Sequence, residues 1–178
     1  MSEGFRRMDF KMGKNIRIVV VGVVSYLLPL TFFFSCSSID CPVNRLVLTH
    51  YQFTNSDGQV LTLLDSLTVS TTRMDGKDTL FNKGSKITNF YLPISHTHPE
   101  DELVFHFDGD SLHMTDTLWV KKDDIPHFES VDCNASFFHT LTNIRCTHNL
   151  LDSVVITNPS VTNNDQVVHV LLYPKISD

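Results

Sequence analysis

The sequence predicts an all-β fold: an antiparallel β-sandwich, immunoglobulin-like in the broad sense, with a closed barrel as the second architecture. Three observations carry the expectation. From Arg45 onward, short runs rich in Val, Ile, Thr and Phe recur at the roughly 8–12-residue spacing of all-β domains. The breaks between them hold Asp, Asn, Gly, Ser and Pro, and no segment sustains a helical period. Within runs the apolar residues alternate: in ELVFHF, Leu103, Phe105 and Phe107 share one face of a strand, and Val104 and His106 the other.

Along the chain, strands are expected first at 45–53 and 60–63, parted by NSDGQ (55–59), whose Asp-Gly supplies the positive φ of a tight reversal. β-Branched runs follow at 66–72, 78–82 and 87–93. A second Asp-Gly, in FDGDS (107–111), turns 102–107 back into 111–121. Further runs lie at 127–133, 136–145 and 152–158, and the polar loop NPSVTNND (158–165) leads into a last strand at 167–173. The segments LLDSLTVSTT, MTDTLWVKK and LLDSVVITN each place Asp and then Ser or Thr before an apolar strand. A solvated turn hands over to a β-branched strand in this way, and the spacing is too irregular for a repeat.

The first 35 residues read differently. Arg6, Arg7, Lys11, Lys14 and Arg17 precede an apolar run from Ile18 to Phe34, the basic and apolar regions of a signal peptide. At 17 residues, interrupted by Pro29, the run is at the short limit for a membrane-spanning helix. Ser35 directly before Cys36 resembles the end of a bacterial lipoprotein signal. Cleavage there leaves Cys36 as a diacylated first residue, and two acyl chains, at roughly 0.8 kcal/mol per buried methylene, make a stable anchor. The expected organisation is a signal peptide (1–35), an acylated N-terminus and short tether (36–44), and a single β-sandwich domain (45–178). The expected place is the outer membrane. SSID after Cys36 carries one acidic residue rather than a surface-directing cluster, so the domain is expected to face the periplasm.

Charge narrows the partners. Setting aside five basic and two acidic leader residues leaves 9 Lys and Arg against 18 Asp and Glu, a net charge near −9. Such a domain does not seek nucleic acid or an anionic membrane face. Three cysteines remain beside Cys36: Cys41, Cys133 and Cys146. In an oxidising envelope two of them are expected to pair, and spacing alone leaves all three pairings open.

The segment HTHPEDELVFHFDG (96–109) resembles the first metal motif of cupin barrels. His96 and His98 would share a strand face and offer two imidazoles, with Glu102 as a carboxylate and His127 or His106 as a third imidazole for a divalent transition metal. No glycine follows Gly109, so the second cupin motif is incomplete at IPHF. The bland reading, a solvated polar connection, competes with it and leaves no cofactor. Asp108 and Asp110 beside Glu100, Asp101 and Glu102 form an acidic turn without dense calcium-ligand spacing. Cys146, near Arg145 and His148, suits either an activated thiol or a buried sheet cysteine. There is no G-x-S-x-G, no H-E-x-x-H and no phosphate-cradling glycine loop, so no catalytic residue is assigned.

CPVNRLVLTHYQFTNSDG (41–58), DTLWVKKDDIPHFESVDCNASFFHTL (116–141) and LLDSVVITNPSVTNND (150–165) together resemble an uncharacterised family of small Bacteroidota lipoproteins, a domain of unknown function. The resemblance implies that Cys41 and Cys133 are the characteristic cysteines and form the disulfide, and it carries no activity. The expected function is a non-enzymatic, lipid-anchored module that binds an envelope protein or glycan partner.

Overall fold

Ten strands follow one another in the computed structural model, which describes residues 46–73, 76–109, 113–128, 130, 133, 135–164 and 166–175. All lie within one unit, Cys41–Asp178. In chain order they are β1 (Leu48–Phe53), β2 (Ser66–Arg73), β3 (Gly76–Gly84), β4 (Asn89–Pro93), β5 (Glu100–Asp108), β6 (His113–His127), β7 (Ser136–Cys146), β8 (Leu151–Ile156), β9 (Ser160–Val161) and β10 (Val170–Pro174). The expected leader (1–35), tether (36–44), Cys36, Cys41 and Asp110 lie outside the described residues. Among the described residues no helix is long and apolar enough to cross a membrane.

The strands form two packed sheets, ordered β4-β1-β10-β8 and β3-β2-β5-β6-β7-β9. This is an all-β, antiparallel-rich arrangement consistent with a β-sandwich, and neither sheet closes into a barrel. One pairing is parallel: β1 runs alongside β10, with Tyr51 opposite Val170. Alternation explains the core. Tyr51 and Phe53 of β1 and Phe90 and Leu92 of β4 face Leu103, Phe105 and Phe107 of β5 and Leu118 and Val120 of β6. Their rings knit the sheets together, Phe90 lying 5.9 Å from Phe105 and 5.4 Å from Tyr51.

Three sequence expectations need correction. The run 60–63 is held by two isolated bridges, Thr54 to Val60 and Leu63 to Ile87, and is not a strand. Among the described residues of 127–133 there is no separate strand, and β6 continues through Pro126 to His127. Proline is tolerated there because β5 pairs with β6 only as far as Lys121, which leaves one flank of 122–127 without a ladder partner. The polar loop 158–165 hides the two-residue β9, which crosses to pair with β7.

The NSDGQ turn is as expected. Gly58 takes φ 78°, and the Asn55 side chain accepts the amides of Asp57 and Gln59 at 3.1 and 2.8 Å.

Candidate functional site

The site is built where the chain enters the sandwich. The start of β1, the ends of β2 and β4, the start of β5 and the middle of β6 meet at this N-proximal end, and the β4–β5 connection (94–99) crosses it. A groove of about 710 Å³ opens here, lined by Thr71, Leu80, Ile94, Ser95, His98 and Glu102 among others. A second hollow of about 210 Å³ lies between Leu46, Val47, His96 and the β7 residues Phe137 and His139.

Beneath the connection is a buried ionic network. Asp116, Leu118, Val120 and Lys122 alternate on the inward face of β6, so strand parity drives a lysine inside. Its side chain is wholly buried. The ammonium donates to the His98 carbonyl and lies 3.5 Å from Asp124 and 3.9 Å from Asp101. His139 Nδ1 donates to Asp124 Oδ1 at 2.6 Å, and the Ser95 amide donates to Asp101 Oδ2 at 2.9 Å. The Lys122 amide donates to the Pro99 carbonyl at 3.0 Å. The connection is thus tied at Ser95, His98 and Pro99 to the point where β6 leaves β5.

Burial dominates the electrostatics. It pushes the Asp101 carboxyl above the ordinary range, against the Ser95 amide and the charges of Lys122, His139 and His98, which pull it down. Burial also holds His139 below the ordinary imidazole value, although Asp124 pulls it up. Burial, and then the charge of Asp101, push the Tyr51 phenol up, so it stays protonated. A buried charge costs several kcal/mol unless paired, roughly, and these groups pair with one another. The result is a fixed rim with polar side chains presented on it. Ser95 Oγ and Thr97 Oγ1 lie 2.9 Å apart, and Thr97 Oγ1 is 2.9 Å from His98 Nδ1.

The expected metal set is not brought together. His96 and His98 lie on the connection rather than a strand, so the shared-face reasoning fails. His96 stacks on Phe137 at 4.6 Å and His127 on Phe138 at 4.3 Å. Glu102 accepts from Trp119 Nε1 at 3.2 Å, and His106 pairs with Thr115 at 3.1 Å. Among the described residues no group of three or more His, Cys, Asp or Glu is placed to hold a metal ion. Without a closed barrel or a convergent ligand set, the cupin reading is corrected. Asp108 stands at the opposite end of β5 from Glu100, so the acidic turn is not one cluster.

The cysteines also depart from expectation. No disulfide joins two described residues, so the expected staple is not seen among them. Cys133 is buried with its sulfur held in a disulfide rather than free, and Cys41 lies outside the described residues. Cys146 is a free, buried thiol. Burial first, and then the charges of Asp116 and Asp152, push its pKa up. Arg145, expected beside it, points to the other face, 4.1 Å over the Trp119 ring and 3.1 Å from Glu100. Adjacent strand residues point apart, so the thiol loses Arg145, while His148 Nδ1 stays 3.3 Å from its sulfur.

Sequence reasoning missed Lys122, Asp124 and His139, and placed Asp101 only in an acidic turn. The available signal was a lysine two residues beyond Val120 in strict alternation.

Residues 66–174, from β2 through β10, match the family described as "Family of unknown function (DUF6452)". The chain belongs to the DUF6452 family. Its membership carries no activity, and β1 with Leu46 and Val47 precedes the matched span. No curated protein and no solved structure matches the chain.

Proposed function

We propose that this DUF6452 protein is a lipid-anchored cell-envelope protein of the Bacteroidota type, acylated at Cys36, held on the outer membrane and facing the periplasm. Its domain acts by binding an envelope protein or glycan. The observation that carries the binding reading is the N-proximal groove, whose polar rim is fixed by the Lys122 network before any partner arrives. Preorganisation of this kind lowers the ordering cost of association. The network's charges satisfy one another, so neutral polar groups (Ser95, Thr97) and the His98 ring remain to meet a partner's hydroxyls or amides. The leader's apolar run ending in Ser35–Cys36 supports the anchor.

Trp119, the single tryptophan of the chain, bonds to Glu102 of the groove wall and reports on it. Titration with peptidoglycan fragments and with fractionated envelope proteins is expected to change its emission saturably in one fraction. Thr97→Arg, which fills the groove from an exposed position, should abolish that change. A response unaltered in Thr97→Arg, none from any fraction, or turnover of an added substrate contradicts the proposal.

A further inference from the structure

Beyond the β5–β6 ladder, β6 and β7 continue together as an arm, joined by β9 at His139 and Thr140 near its root and two-stranded toward its tip. Lys122 to His127 pair with Leu141 to Ser136, which carries the arm about 20 Å past the last residue of β6 that β5 reaches. Large apolar side chains are exposed on it: Ile125 is 50% exposed and Phe128, just past the strand, 64%. Leu46, where the described chain begins, is 67% exposed, and it shares a hollow with Ala135, Ser136 and Phe137 at the tip of the same arm. Three large exposed apolar side chains therefore lie at one end of the domain, Ile125 and Leu46 on opposite faces of the arm and Phe128 just past its strand.

We propose that this end is a membrane-docking surface, in which Ile125, Phe128 and Leu46 enter the interfacial region of the bilayer that carries the anchor. This rests on the proposed acylation of Cys36. Only nine residues lie between Cys36 and Leu46, a reach of at most roughly 35 Å. The other exposed apolar pair near a sandwich end, Val60 and Leu64, lies at the opposite end. That end is a further strand length away, about 30 Å for the nine residues of β5. To bring it to the bilayer, the tether would have to stretch almost fully along the domain.

Charge selects the lipid. Asp123 and Asp124 sit at the root of the arm in a domain of net charge near −9, which repels an anionic surface. The occupant is a zwitterionic lipid surface, met by apolar side chains rather than by lysines. The arm also carries Pro126 on its strand, which blunts the free edge against pairing with another chain.

The test uses the full acylated protein in phosphatidylethanolamine and phosphatidylcholine vesicles, with lipids brominated near the headgroup as quenchers. In a Trp119→Phe background, Phe128→Trp places the only indole at the arm and Leu64→Trp places it at the far end. Both sites are exposed, so neither change disturbs packing. Strong quenching at 128 with little at 64 is the expected result. Vesicle-bound, acylated protein with no quenching at 128, or with quenching at 64 instead, overturns docking while leaving the anchor intact. Protein that carries no acyl group overturns the anchor, and docking falls with it.

Discussion

Lys122 shows how much a single position can bind together. Its ammonium faces two carboxylates and a backbone carbonyl with no access to water. Lys122→Ala should therefore lose about 3–5 kcal/mol in urea unfolding, since it leaves buried carboxylates unpaired. Adding Asp101→Asn to that variant should recover part of the loss. Asp116 is a second such residue. Burial raises its pKa, but the amides of Leu151, Asn149 and Leu150 and the Thr147 hydroxyl outweigh that and hold it below the usual carboxylate range. The four bonds span 2.7–2.8 Å and cap the β7–β8 turn. Asp116→Ala should cost at least about 2 kcal/mol, because three backbone amides lose their acceptor. Histidines give the pH dependence. Burial, then the neighbouring His50, lowers the pKa of His169, whose Nδ1 accepts the His50 amide at 3.0 Å. The unfolded chain then binds the proton more readily, so this stability is complete above the unfolded value of about 6.5 and is lost as pH falls below it. His139 acts in the same direction. Unfolding midpoints should drop between pH 7 and 5, and His169→Asn, which keeps an acceptor near that amide, should flatten the drop.

At the scale of elements, the strands that alternate cleanly were legible in the sequence. β2, β5, β7 and the first part of β6 fall where Leu67 and Val69, Leu103 to Phe107, and Leu118 and Val120 set the period. The mismatches have identifiable reasons. Val60–Leu63 has the composition of a strand but lacks a neighbour along its length, and composition does not register neighbours. β9 is two residues in a polar loop and exists because its partner, β7, offers a free flank. β6 runs through Pro126 because the lost donor faces no demand at a flank that β5 has already left. Turn chemistry was the most legible feature. Gly58 has positive φ and open space around a would-be Cβ, so Gly58→Ala should cost about 1 kcal/mol through backbone conformation alone. A thermal melt that leaves Gly58→Ala at wild-type stability contradicts that reading.

For the whole molecule, the fold class was readable and the site was not. Histidine spacing pointed to a metal motif, yet two of the imidazoles stack on neighbouring phenylalanines, and linear spacing does not report which ring faces which. Lys122 and Asp124 of β6, Asp101 of β5 and His139 of β7 come from three strands and meet only where the β5–β6 ladder stops at Lys121. On the proposed reading, the groove, the arm and the short tether put recognition and anchoring at one end of the sandwich. The account depends on Cys36, and the intact mass of the full-length protein purified from cell envelopes tests it most directly. The expected mass is that of the chain beginning at Cys36 with added acyl chains, shifted in Cys36→Ser to an unmodified species that leaves the membrane fraction. A chain that retains residues 1–35, or begins at Cys36 without lipid, contradicts the account.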